Sequence, residues 1–159
     1  MDQGSIIVYH GDGAGKSSAA LGHALRVASS GGTVYVIQFL KGQIASDFVQ
    51  RLEPEMKLFR FERLPKYYDE MTEAERTEEK KNISNGISYA RKVLATGECD
   101  MLVLDEVLGA IAEKIFPEEE LLEALAQKSS QTTVIMTGRR ATPGILDVSD
   151  VVLNIHREA

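Results

Sequence analysis

The sequence has one cysteine, no tryptophan and only four prolines in 159 residues. A lone Cys99 excludes an internal disulfide and agrees with a reducing compartment. Its place just before an apolar run reads as a buried structural thiol rather than a reactive one. No apolar stretch approaches membrane-spanning length, and Met1-Asp2-Gln3-Gly4 lacks the basic-then-apolar pattern of a secretory leader. The expectation is a cytoplasmic protein with no membrane partner. Basic residues are scarce too: 18 Lys and Arg against 24 Asp and Glu leave a net charge of -6, without a basic cluster. That excludes the broad electrostatic footprint of a nucleic-acid binder, although a small, locally bound anion is still compatible. Hydrophobic residues at 43% and charged residues at 26% exclude disorder as the default. A chain of this length supports one core and buries roughly 70% of its unfolded surface, so a single domain over 1–159 is expected.

What is abundant is glycine at alternate positions near the start. The stretch Val8-Tyr9-His10-Gly11-Asp12-Gly13-Ala14-Gly15-Lys16-Ser17-Ser18 is entered by an apolar run over 5–9 and left by an alanine-rich run over 17–29. Strand, glycine-rich turn, Gly-Lys-Ser and helix together make a phosphate loop. The glycines allow a tight turn in which backbone N–H groups converge on an anion, and the helix N-terminus adds positive potential. Triphosphate is the natural guest. Lys16 would reach the terminal phosphates, and the hydroxyl of Ser17 would hold a bridging magnesium ion. The full pattern has glycine where this chain has His10, so the loop is a variant. His10 itself, at the loop mouth, is positioned either for phosphate or metal contact or for none.

Apolar runs at 33–39, 101–104, 132–137 and 150–155 read as further strands, with a weaker one at 58–61. Between them, helical spacing appears at 17–29 with Ala20, Leu21, Ala24, Leu25 and Ala28 on one face, and at 44–52, 107–116 and 118–127. Thr72 and Glu75 form a capping box opening a long helix to about 95, whose charged first half reads as a solvated face. Thr142 and Pro143 open the last helix. Strands alternating with helices predict an α/β, single three-layer P-loop NTPase-like (RecA-like) domain with a mainly parallel sheet. Ligands of such sheets lie beyond the carboxyl ends of the strands. That rule gathers residues 10–17, 38–41, Asp105 with Glu106, and 137–139 around one crevice. Asp105, ending an apolar strand, is the expected support of the magnesium shell. Tyr67 and Tyr68 in an irregular connection either stack on a flat ligand or cover the edge of the core. The histidines form no evident base–nucleophile pair.

These pieces together, the loop through Gly22, then Gln38-Phe39 with Lys41-Gly42, then Leu102 to Glu106, then Thr137-Gly138-Arg139, resemble the P-loop family of ATP:corrinoid adenosyltransferases in order and spacing. The resemblance runs from Ile7 to about Asp150, and that family also replaces the first glycine of the loop. It implies transfer of the 5'-deoxyadenosyl group of ATP to a corrinoid in its Co(I) state, with release of triphosphate. It further implies magnesium or manganese, a homodimer, and an electron donor such as a flavodoxin-like protein. On this reading Lys16, Glu106 and Arg139 are catalytic, and Ser17 and Asp105 hold the metal. Residues 10–18, that is His10, Gly11, Asp12, Gly13, Ala14, Gly15, Lys16, Ser17 and Ser18, bind nucleotide together with Gln38 and Lys41, and Tyr67 and Tyr68 meet the ligands. Glu106 would contact the ribose or the metal shell. The chain departs from the family at Ala14, where a second loop lysine is common, and in having no tryptophan over the corrinoid. A P-loop ATPase or phosphotransferase, and a non-catalytic binding relative, share the loop and are the alternatives.

Overall fold

The computed structural model describes residues 3–40 and 46–159. Its six strands form a single sheet of order β3-β2-β4-β5-β1-β6, in which every neighbouring pair is parallel. In chain order these are β1 Ile6–His10, β2 Val34–Gln38, β3 Met56–Arg60, β4 Met101–Asp105, β5 Thr133–Gly138 and β6 Val151–Asn154. The helices between them are α1 Lys16–Ser29, α2 Ser46–Gln50, α3 Glu73–Thr96, α4 Val107–Ala112, α5 Glu118–Ala126 and α6 Pro143–Val148, with a 3-10 turn at Tyr68–Glu70.

The period of two along each strand divides the core into two layers. Ile7, Val34, Val36, Met101, Val103 and Ile135 pack against Ala20 and Ala24 of α1. Ile37, Leu102, Leu104, Val134 and Met136 face the opposite way, onto Ile83, Ile87 and Leu94 of α3 and onto Leu121 of α5. Helices therefore cover both faces, and the expected P-loop NTPase-like α/β fold is the one observed. The same alternation puts Gln38, Asp105 and Thr137, which continue the Val36, Val103 and Ile135 series, on the α1 side at the carboxyl end of the sheet.

Several local expectations give way. Leu25 is 42% exposed, although helical spacing places it on the apolar face of α1. Two alanines bring the helix close to the sheet, and Leu25, roughly 100° round the helix from Ala24, falls outside the contact. The helix expected over 107–116 ends at Ala112. Lys114 takes a positive φ of 57°, and Ile115 and Phe116 leave the helix to enter the core, so burial overrides helical spacing. The capping box is present, with Glu75 N–H donating to Thr72 Oγ1 and Thr72 N–H to Glu75 Oε1. The charged half of α3 is not wholly solvated, however: Glu79 is 1% exposed. β6 is an open edge whose Val151, Val152 and Leu153 are all exposed. Cys99 is buried as expected, and loss of hydration pushes its thiol up to about 12, which leaves it inert at neutral pH. No described helix is long and apolar enough to cross a membrane.

Candidate active site

The phosphate loop hangs on the sheet by its own amides. Gly11 N–H donates to the carbonyls of Gly138 and Arg139, and Gly13 N–H donates to Ile155. Both glycines are buried, and those two N–H groups are already used by the fold. Gly11 has φ 128°, and a Cβ there would lie 2.1 Å from the Ile155 carbonyl oxygen, so only glycine fits. Gly15, the residue before α1, has φ 109° with open space around it; its constraint is the backbone turn alone. No side chain caps α1 at this end. Its first N–H groups face outward with the dipole of a 14-residue helix behind them, which is the electrostatic condition for a bound phosphate.

Beyond the strand ends lies a cavity of about 740 Å³. It is lined by Ala14, Gly15, Lys16 and Ser17 of the phosphate loop, by Tyr67, Tyr68 and Asp69, by Glu106, Leu108, Gly109 and Glu113, and by Arg139 and Arg140. Lys16 Nζ lies 2.7 Å from the Gly13 carbonyl oxygen, folded over its own loop.

Asp105 is the hub behind this wall. Its Oδ1 accepts from Ser17 Oγ at 2.7 Å and from Thr137 Oγ1 at 2.9 Å, and Thr137 Oγ1 in turn accepts from Glu106 N–H at 2.8 Å. Among the described residues Oδ2 is buried with no hydrogen-bond partner. A fully buried carboxylate oxygen left bare is costly unless a cation or donor reaches it. A magnesium ion fits this donor set: a hard cation, one anionic oxygen free, and a serine hydroxyl alongside whose lone pairs are uncommitted. Among the described residues no group of three or more His, Cys, Asp or Glu could hold a metal by itself. Phosphate and water oxygens would have to supply the remaining ligands.

Glu106 sits at φ 58°, a strained conformation for a non-glycine residue and one that recurs at functional sites. Burial first, and then the neighbouring Asp105, push its carboxyl above the usual glutamate range; Lys16 and Arg139 pull the other way. A Cβ on Gly109 would lie 2.8 Å from Glu106 Oε2, so that glycine makes room for the carboxylate.

Of the residues singled out from sequence, the structure brings Ala14, Gly15, Lys16, Ser17, Tyr67, Tyr68, Glu106 and Arg139 to one cavity, with Asp105 behind it. His10 ends β1, and its carbonyl accepts from Ile155 N–H; its side chain is not on the cavity wall. Asp12 and Ser18 are exposed outside the wall. Gln38 is buried beside Asp105, its register partner, and neither amide atom is hydrogen-bonded among the described residues. Lys41 lies outside the described residues. Sequence reasoning missed Asp69, Gly109 and Glu113; none stands in a motif or ends a strand, and no pattern pointed to them.

The family model of ATP:corrinoid adenosyltransferases BtuR/CobO/CobP matches residues 2–158. The chain belongs to that family. It is 34% identical over 151 residues to the corrinoid adenosyltransferase of Escherichia coli K12, covering 95% of this chain and 76% of that one. With the corrinoid adenosyltransferase CobA of Salmonella typhimurium LT2 it shares 33% identity over 151 residues, with the same coverage. Among solved structures it resembles a KaiC-like protein, PH0186, of Pyrococcus horikoshii OT3. The TM-score is 0.61 at 17% identity, over 99% of this chain and 75% of that one, a likeness of fold alone.

Proposed function

We propose that this protein transfers the 5'-deoxyadenosyl group of ATP to the Co(I) centre of a corrinoid and releases triphosphate. The observation that carries the reading is the meeting of Lys16, Ser17, Glu106 and Arg139 on one cavity, backed by Asp105, in a chain of this family. The cobalt electron pair forms the bond to the ribose C5' carbon. The C5'–O bond breaks, and its electron pair leaves with the triphosphate. A nucleophile of that strength needs no base, so the protein's task is placement and charge stabilisation. The free amides of Gly15 to Ser17 and the Lys16 ammonium hold the triphosphate as charge grows on the leaving oxygen, and Arg139 supports it from the side. Ser17 and Asp105 would hold a magnesium ion, which would supply positive charge to the leaving group. Glu106 lines the cavity together with Lys16 and Arg139 and would orient the ribose or contact the metal shell. Gln38, whose buried amide has no hydrogen-bond partner among the described residues and lies in register with Asp105, would help bind the nucleotide there. Tyr67, half exposed on the cavity, offers an aromatic face to the flat macrocycle, whereas Tyr68, which also lines the cavity, is buried in the core.

The same reading includes manganese as an alternative ion, a homodimer, an electron-donor protein of the flavodoxin kind and a cytoplasmic location. The open apolar edge of β6 supports the homodimer.

The test is an anaerobic reaction of the protein with ATP, magnesium and chemically reduced cobalamin. The expected result is a light-sensitive alkyl-cobalt spectrum with one triphosphate released per alkylation. Release of ADP with unchanged cobalamin would overturn it.

A further inference from the structure

The charged first half of α3 does not behave wholly as a solvated face: Glu75 holds Lys66 at 3.0 Å, and Arg76 and Glu79 reach the backbone of the same stretch. Arg76 and Glu79 lie three residues apart, on one side of the helix. Glu79 is 1% exposed, and its hydrogen bonds are to a neighbouring stretch of backbone. Arg63 N–H lies 3.1 Å from both of its carboxylate oxygens, Leu64 N–H lies 3.4 Å from Oε2, and Asn82 Nδ2 steadies Oε1 at 2.9 Å. Arg76 works on the other end of the same stretch. Its Nε donates to the Tyr68 carbonyl at 3.0 Å and its Nη2 to the Asp69 carbonyl at 3.1 Å, while the guanidinium lies over the Tyr68 ring, 5.1 Å from its centre.

An acceptor thus takes the N–H groups at the start of segment 63–69, and a donor takes the carbonyls at its end. Apart from the 3-10 turn that begins at Tyr68, the segment has no regular structure to fix its course. Yet Tyr67, Tyr68 and Asp69 line the same cavity as the phosphate loop. An alanine or leucine at 79 would satisfy the helix; a buried carboxylate is explained only by the backbone it holds.

We propose that Glu79 and Arg76 are positioning residues that clasp segment 63–69 at both ends, setting the tyrosine wall and through it the affinity for the flat second substrate, independently of ATP. The proposal rests on the reading that a corrinoid occupies this cavity.

The test uses Glu79→Ala, Glu79→Gln and Arg76→Ala in the full chain under the anaerobic assay. The KM for reduced cobalamin is expected to rise about tenfold or more in both alanine variants while the KM for ATP stays within about twofold. Glu79→Gln, which keeps one acceptor oxygen, recovers part of the loss. Combining Arg76→Ala with Glu79→Ala costs less than the sum of the two, because they hold one element. Constants for ATP and cobalamin that move together, or an unchanged cobalamin KM, in a variant with wild-type melting would overturn the clasp. Should Glu79→Ala fail to fold, wild-type amide exchange decides instead. Segment 63–69 is expected to slow when cob(II)alamin joins the ATP complex, and unchanged exchange refutes the proposal. The two levels separate cleanly. A wild-type protein that does not alkylate cobalamin removes the functional reading and the clasp with it. Alkylation by the wild type with indifferent variants removes the clasp alone.

Discussion

Ser17 donates to Asp105 Oδ1 over 2.7 Å, joining the first turn of α1 to the end of β4 across 88 residues of sequence. The same oxygen accepts from Thr137 on β5, so three neighbouring elements meet at one atom, and the other carboxylate oxygen is left bare. The arrangement is satisfied on the protein side and unsatisfied toward a ligand, which is the condition of a site built for a cation delivered with its phosphate.

Asp105→Asn separates those two halves. The amide oxygen can still accept from Ser17 and Thr137, but the free oxygen becomes an NH2 group. The magnesium concentration for half activity should rise about tenfold or more, and Mn2+ bound in the ATP complex, read by electron paramagnetic resonance, should weaken in parallel. The melting temperature should hold or rise, since a bare buried charge has been removed. Asp105→Ala, by contrast, strands two hydroxyls and should cost about 1–3 kcal/mol in stability for each one left buried without a partner.

Lys16→Ala tests the loop. In the unliganded protein the ammonium merely covers the Gly13 carbonyl, so its removal should shift the melting temperature little. Triphosphate release in a single turnover should fall by a factor of about 10² to 10³, the usual loss when one preorganised charge-stabilising donor is removed. Undiminished release would remove the loop from the mechanism.

Glu106 carries a pH signature. Its carboxyl is held above the ordinary glutamate value of 4.5 by burial and by Asp105. The folded state therefore favours the protonated form. Its contribution to stability is fully present below the ordinary value and is lost as pH rises through the raised one. Glu106→Gln, neutral throughout, should match the wild type near pH 4 and become progressively the more stable of the two as pH increases, reaching a plateau above the raised value. Thermal melts of both proteins across that range measure the difference directly, and other titrating groups cancel between them. A difference independent of pH contradicts the shift.

The parts of this site that the sequence disclosed are those in which one residue type answers a backbone demand. Gly11 and Gly15 need positive φ, Lys16 and Ser17 follow at fixed offsets, and Asp105 ends an unbroken apolar strand. The fold was legible for the same reason, because Val, Ile and Leu runs buried on both sides can only be central parallel strands. What was not legible depends on contacts between distant segments. Glu79 looks like its charged neighbours until the amides of Arg63 and Leu64 are seen against it. Leu25 fits the helical period but misses the sheet, and Phe116 fits a helix that the core instead pulls apart. Equally, the glycines that define the loop are not all binding groups, since Gly11 and Gly13 spend their N–H groups on the carbonyls at and just beyond the ends of β5 and β6.

Gly109 offers the sharpest separation of stability from activity, because its two effects have opposite signs. It lies inside α4, where alanine in place of glycine ordinarily stabilises a helix by about 1 kcal/mol. The added Cβ, however, would stand 2.8 Å from Glu106 Oε2 and 3.1 Å from Leu40 Cδ1. Both are flexible side-chain ends, so the chain can absorb the methyl group by turning the carboxylate away from its present position. Gly109→Ala should therefore melt at or above the wild-type temperature while kcat/KM falls about tenfold or more, since displacing one positioned group by an ångström is enough for such a loss. The same substitution made on Glu106→Gln should cost less than on the wild type, because the group it displaces is already altered. If Gly109→Ala keeps full activity, the placement of the Glu106 carboxylate is not required for transfer, and the ribose or metal contact assigned to it must be supplied by another residue.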